Sequence, residues 1–329
     1  MGNANAGPET HGGYESMKIS IIILSFNNYA ETTGICLEML AADPDFATWE
    51  VIVVDNASDS KTHEELVRLK EDYPHVTVIF NASNLGFSAG NNVGIRAASG
   101  DLIVLLNSDA FPSKGMIARL ASAYTDDTNW GLLGPVTNTA GNEQCIYTQD
   151  GTMADKIAHG LEYANNGSPL ILDAYRMDFF CVAIPRPVIN QVGLLDEAFG
   201  RGYFEDFDYS LRVKQAGYRL GVVENAFVYH RGSTSFGKVS LETKALIKRN
   251  KRLMYTKHGK NIVMQHIRLS NLEILQKYLG KKCAGETVSD YRIDNRLRHA
   301  KSMLPKSWFK RWRYLRAVAK VEKNILNAR

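Results

Sequence analysis

Cysteine is scarce: 329 residues hold four, Cys36, Cys145, Cys181 and Cys283. None sits in a C-x-x-C or Cys/His ligand spacing, which excludes a disulfide scaffold and a structural zinc site. They read as reduced thiols of a cytoplasmic chain. No apolar run reaches the ~18 to 20 residues that a membrane-spanning helix needs, so any membrane contact is expected to be peripheral. The first strand is not followed by G-x-G-x-x-G, and G-x-x-x-x-G-K-[ST] is missing throughout, which argues against a dinucleotide fold and a P-loop NTPase. The opening stretch "MGNANAGPETHGGYES" lacks the cationic start and apolar centre of a secretory signal. Its Gly and Asn content predicts a disordered tail over residues 1–16.

What is present describes a folded body. The hydrophobic share of 45% and charged share of 22% are those of a globular protein, and the length predicts a main domain with an appendage. "KISIIILS" (Lys18 to Ser25), "EVIVVD" (Glu50 to Asp55), Val76 to Phe80 and Asp101 to Leu106 are short apolar runs with strand character. Helical spacing lies between them, over Glu31 to Leu40, His63 to Glu71 and Ser88 to Ser99. Such alternation implies βαβ crossovers and a parallel sheet covered on both faces. Ligands of these sheets bind beyond the carboxyl ends of the strands. Here all four exits are polar: Ser25-Phe26-Asn27, Asp55-Asn56-Ala57-Ser58, Asn81 to Asn84, and Asn107-Ser108-Asp109. After Pro135, Gly, Asn and Thr cluster as in cleft loops, and beyond about Ser240 the pattern turns helical and basic. The boundary is placed near Thr234, giving an α/β domain over 17–233 and a helical region over 234–329.

Three places carry possible chemistry. Asp109 ends the buried run "LIVLLNSDA", where a carboxylate either closes a turn or holds a hard divalent cation. Glu205 and Asp206 follow two aromatics in "GYFEDFDYSLR"; adjacent carboxylates diverge, which suits one base with a supporting acid rather than the facing pair of a glycoside hydrolase. Asp208 and Arg212, four apart, fit a helix start. His230 closes the apolar run "GVVENAFVYH", a position where a packed histidine is the commoner outcome.

In order, "SIIILSFNN", "EVIVVDNASDS", "NASNLGFSAGNNVGI", "DLIVLLNSDA", "GYFEDFDYSLR" and "VVENAFVYHRGS" resemble the family 2 glycosyltransferases, most of all their rhamnosyltransferase-like branch. The resemblance covers roughly Lys18 to Ser233. It implies a GT-A fold: a Rossmann-like, mixed but mainly parallel sheet flanked by helices, here with a C-terminal helical extension. It implies an inverting transfer of a sugar, with L-rhamnose the one its branch suggests, from a dTDP- or UDP-linked donor to a hydroxyl of a growing bacterial cell-surface polysaccharide or lipid-linked glycan. By position, Asp55 corresponds to the acid that reads the nucleotide base, with Ser25, Phe26 and Asn27 alongside. Asn84, Gly86 and Asn91 match the segment along the nucleotide and its sugar. Asn107-Ser108-Asp109 matches the D-x-D metal motif with Asn in place of the first acid. Asp109 is left as the main carboxylate ligand of Mg²⁺ or Mn²⁺, with His230 completing the site and Asn107 turned to sugar or water. Asp206 matches the general base and Glu205 its partner. The alternative is a non-catalytic nucleotide-sugar or glycan-binding module on a degenerate scaffold. A sugar-1-phosphate nucleotidyltransferase would need a basic Gly-rich loop that "LSFNNYAETTG" does not provide.

The formal charge of +4 is unevenly spread, with Lys and Arg gathered in "KALIKRNKRLMYTKHGK" and "PKSWFKRWRYLRAVAKVEKNILNAR". In the latter, Trp308, Trp312, Leu315, Ala319 and Leu326 form one helical stripe, with the cations expected to face largely away. Such a helix either lies on an anionic membrane or docks on the main domain. Nucleic acid ranks last, since no nucleic-acid module is visible.

Overall fold

A computed structural model describes residues 17–124, 129–232, 240–262 and 265–327. The N-terminal half follows the strand and helix alternation closely: β1 (Ile19–Ser25), α1 (Thr33–Ala41), β2 (Glu50–Asp55), α2 (Ser60–Asp72), β3 (Thr77–Phe80), α3 (Gly86–Ala97) and β4 (Leu102–Asn107). The first helix starts later than predicted, because a 3₁₀ turn over Tyr29–Glu31 occupies its expected beginning. Next come β5 (Ala110–Pro112), α4 (Met116–Ser122), β6 (Trp130–Thr137), α5 (Met153–Asn165), β7 (Ile171–Asp173), β8 (Cys181–Pro185), α6 (Arg186–Val192), α7 (Glu205–Gln215) and β9 (Arg219–His230). The C-terminal region is helical as expected: α8 (Leu241–His258), α9 (Ile267–Cys283), α10 (Asp290–Ser302) and α11 (Trp308–Asn327). The 1–16 tail and the predicted boundary at 233/234 lie outside the described residues.

One sheet runs β3-β2-β1-β4-β8-β6-β9-β5, with β7 paired to β9. The first four strands are parallel, and β8 joins β4 antiparallel. Ile21, Ile22 and Ile23 are all fully buried, as expected of a strand with helices on both faces. The parallel register carries Ser25, Asp55 and Asn107 to the same edge of the sheet. Two helix glycines serve packing: a Cβ on Gly90 would fall 2.5 Å from Leu24, and one on Gly94 would fall 2.4 Å from Ile22, so α3 lies directly on β1.

The helical region is joined to the sheet by a buried ionic knot. Arg296 on α10 and Glu224 on β9 are both fully buried and form a 2.5 Å ion pair. Tyr278 donates to the same carboxylate at 2.5 Å, Tyr163 donates to it as well, and Arg296 also donates to the carbonyls of Glu143 and Cys145. Arg292 donates to the carbonyls of Tyr163 and Ala164 in the last turn of α5, where carbonyls run short of intrahelical partners. Breaking such a pair from one side strands a buried charge. Arg296→Ala should therefore cost about 3–5 kcal/mol in urea unfolding, whereas Arg296→Met combined with Glu224→Leu should recover most of that loss.

Candidate active site

The register of β5 on β9 builds the first part of the site. Ala110 pairs with His230, so Asp109 arrives beside the histidine, and the Arg231 amide donates to the Asp109 carbonyl at 2.9 Å. The imidazole Nε2 lies 3.6 Å from the Asp109 carboxylate. Its Nδ1 donates to the Thr139 carbonyl at 3.0 Å, and Phe180 stacks on the ring. That second bond leaves Nε2 as the free lone-pair nitrogen whenever the ring is neutral. Burial opposes protonation of His230, but the Asp109 carboxylate and the Thr139 carbonyl outweigh it and raise its pKa above the ordinary value.

Glu205 and Asp206 open α7 from an unusual backbone. Tyr203 and Phe204 both lie in the left-handed region, at φ 73° and 79°, a conformation that costs about 1–2 kcal/mol per non-glycine residue. The buried amide of Asn250 on α8 holds the loop by donating to the carbonyls of Phe199 and Gly202, both at 2.8 Å, and of Tyr203 at 3.1 Å. Asp208 is fully buried and faces Arg212 at 2.9 Å, Lys257 at 2.6 Å and His258 at 2.7 Å. It is a structural anchor between α7 and α8, with the predicted Arg212 contact as one strand of it.

Both acids of the pair resist ionisation. Burial raises the Glu205 pKa, the neighbouring Asp206 charge raises it further, and the Glu205 Oε2 is buried without a hydrogen-bond partner. Burial and then Asp178 raise that of Asp206, opposed by Arg176. Arg176 and Asp178 form a 3.2 Å ion pair. Sequence reading missed both, since "YRMDFF" has no local pattern to single them out.

A cleft of about 1160 Å³ brings part of the predicted set together: Asn107, Glu205, Asp206 and His230 line it, with Arg176 and Asp178. Asp109 does not line it directly but flanks His230. The remaining predicted residues lie along the strand exits instead. Ser25 is fully buried, with its hydroxyl 2.7 Å from that of Thr33. Phe26 is 48% exposed. Asn27 accepts from the Asp59 amide, and the Asp55 carboxylate accepts from the Ser58 amide and lies 3.6 Å from His63. Asn84 accepts from the amide of Gly86 and from Asn56, a buried residue that also meets Asn81 and Leu85 and that sequence reading did not single out. Asn91 is buried, and its side-chain amide donates to the Phe87 carbonyl within its own helix. Gly86, at φ 83°, touches the loop before Glu205: a Cβ there would lie 2.2 Å from the Gly200 carbonyl.

Among the described residues no group of three or more His, Cys, Asp or Glu converges as a metal cage. The Asp109 carboxylate and His230 imidazole nonetheless fit a cation that takes the rest of its shell from substrate oxygen and water, as Mg²⁺ and Mn²⁺ commonly do.

A carboxyl whose pKa is raised on folding penalises the folded state at pH values above that raised pKa, and the penalty disappears below the unfolded value of about 4.3. Glu205→Gln should therefore raise the thermal midpoint at about pH 9, with the gain shrinking to nothing near about pH 4. Melting curves across that range check it.

Residues 20–164 match the family model described as "Glycosyl transferase family 2". The uncharacterized glycosyltransferase YfnE of Bacillus subtilis is 27% identical over 61% of this chain and 61% of its own length. The low-salt glycan biosynthesis hexosyltransferase Agl10 of Haloferax volcanii is 27% identical over 62% of this chain and 64% of its own. The chain thus spans about three fifths of the length of these curated relatives. A crystal structure of GalNAc-T7 with UDP, GalNAc and Mn²⁺ superposes with a TM-score of 0.54 at 17% identity, covering 72% of this chain and 48% of that one, a likeness of fold alone. Residues 20–164 thus resemble the family 2 glycosyltransferases, and the strand order and flanking helices agree with a GT-A fold.

Proposed function

We propose that this protein is an inverting, metal-dependent glycosyltransferase that moves a sugar from a nucleotide-diphosphate donor to a hydroxyl of a growing glycan. The observation that carries the reading is the shared cleft: Asp206, a carboxylate, and His230, with Asp109 at its side, open into one cavity at the carboxyl edge of the sheet. A diphosphate leaving group and an attacking hydroxyl need their two kinds of help within one such space.

In this reading Asp206 accepts the proton of the acceptor hydroxyl as the new glycosidic bond forms and the bond from the anomeric carbon to the diphosphate breaks. Its raised pKa makes it a better base than an ordinary aspartate while leaving it ionised at neutral pH. Glu205, the more reluctant of the two to ionise, stays protonated beside it and donates to a sugar hydroxyl. Asp109 and His230 hold Mg²⁺ or Mn²⁺, which when bound offsets the charge gathering on the diphosphate. Asp55 and the strand exits around Asn27 and Asn84 receive the nucleotide. One displacement on one face inverts the anomeric centre.

Agl10 is by name a hexosyltransferase of glycan biosynthesis, which favours a hexose or deoxyhexose as cargo. The resemblance of "NASNLGFSAGNNVGI" to the rhamnosyltransferase-like branch supports L-rhamnose, carried on dTDP or UDP, with a bacterial cell-surface polysaccharide or lipid-linked glycan as acceptor. Four free cysteines support a cytoplasmic setting for the chemistry.

Asp206→Asn should abolish sugar transfer, by at least about 100-fold, while nucleotide still raises the thermal midpoint. Chelation with EDTA should suppress turnover, and Mn²⁺ should restore it. Near-normal transfer by the variant would remove Asp206 from its role. Donor that binds but is never consumed, with any acceptor, would favour the binding-module alternative that Asn107 suggests.

A further inference from the structure

The helix α11 docks by one face and leaves another bare. Tyr314, Val318, Val321 and Ile325 are buried against α9 and α10. Opposite them stand Trp308, 78% exposed, Phe309, 57% exposed, and Trp312, 46% exposed. Large aromatics at that exposure are unusual on a water-facing helix, where docking has already hidden the apolar stripe that stabilises it.

The cations do not face away from these rings, contrary to the expectation from the sequence pattern. Arg316 lies over the Trp312 ring at 4.7 Å and Arg313 over Phe309 at 5.9 Å, while Phe309 and Trp312 stack at 6.4 Å. Residues 312, 316 and 323 share the outward side by helical spacing, so Lys323 extends the charged part of the face. Between residues 306 and 327 there are seven Lys and Arg against one acid, Glu322, which is paired with Lys301 at 2.6 Å.

We infer that the outer face of α11 rests on a membrane surface carrying anionic headgroups. Indole and phenyl rings settle at the level of the headgroups, and the interleaved guanidinium and ammonium groups meet lipid phosphates. A second copy of the chain fits the face poorly, because a two-fold contact would set this cationic surface against itself. Among the described residues no helix is long and apolar enough to cross a bilayer, so the contact lies along the surface. The inference is independent of the transferase reading, since α11 contributes nothing to the cleft.

The test is flotation of the full chain with vesicles. Binding should be at least about tenfold stronger to phosphatidylglycerol/phosphatidylethanolamine than to pure phosphatidylcholine, and should weaken steeply from 0.05 to 0.5 M NaCl. Trp308→Ala with Trp312→Ala, and separately Arg316→Glu with Lys323→Glu, should each reduce binding at least about tenfold. Because these side chains are exposed, the thermal midpoint and its rise with nucleotide should stay unchanged, which separates this outcome from any failure of the cleft assignment. Three results would overturn the inference: equal binding to both lipids, vesicle binding indifferent to all four substitutions, or no vesicle binding. In the last case, a dimer or an oligonucleotide complex abolished by the same substitutions would identify the true occupant.

Discussion

The site depends on α8 holding a backbone that would not hold itself. Two successive non-glycine residues, Tyr203 and Phe204, sit in the left-handed region immediately before the acidic pair, and relaxation of either would swing the start of α7 away from the cleft. Asn250 counters this by saturating three carbonyls of the loop. Asp208 adds a charged tie to Lys257 and a hydrogen bond with His258 from the other side, and Phe199, Phe207 and Met254 close a small apolar cluster between them. Strain of this kind persists only where its surroundings over-determine it. A helix C-terminal to residue 234 is therefore part of the machinery that aims Glu205 and Asp206, and the basic region is more than an appendage.

The same dependence explains what could be read in advance. The parallel half of the sheet was legible because each strand is a continuous apolar run and each crossover helix keeps its period, so β2 falls on Glu50–Asp55 as expected. The acids at strand exits were legible because the pattern breaks there from apolar to polar. Asn250, Arg176, Asp178 and the Arg296–Glu224 pair were not, since their meaning lies in partners tens to hundreds of positions away. Glu224 lies inside a quoted motif, yet nothing local distinguishes a carboxylate that is buried and paired from one facing water. Helix α11 shows another limit. It carries two apolar stripes, and period alone does not say that Tyr314 and Val318 dock while Trp308 and Trp312 stay outside.

Electrostatics tie the two halves of the cleft together. Asp178 raises the pKa of both Asp206 and His230, so it couples the proposed base to the proposed cation site without belonging to either. Arg176, paired with Asp178, limits that effect on Asp206. Removing Asp178 would relieve the base but leave Arg176 free to turn on Asp206, so the ion pair acts as a unit that keeps Asp206 basic yet ionised.

This balance gives the metal a second reason to be there in the proposed reaction. A donor diphosphate arriving beside Asp109 adds negative charge to a space that already holds Asp178, Glu205 and Asp206, and like charge drives carboxylates toward their protonated forms. Lys156, Arg176, Arg201 and Arg231 also line the cleft and offset part of that charge, with Arg176 the one that the pKa pattern sets against Asp206. Asp109 and His230 would hold a divalent ion there, which would offset part of that added charge. On this argument a cation held there would supply charge for the leaving group and would also help Asp206 stay able to take a proton, which would tie a need for metal to the raised pKa of the proposed base.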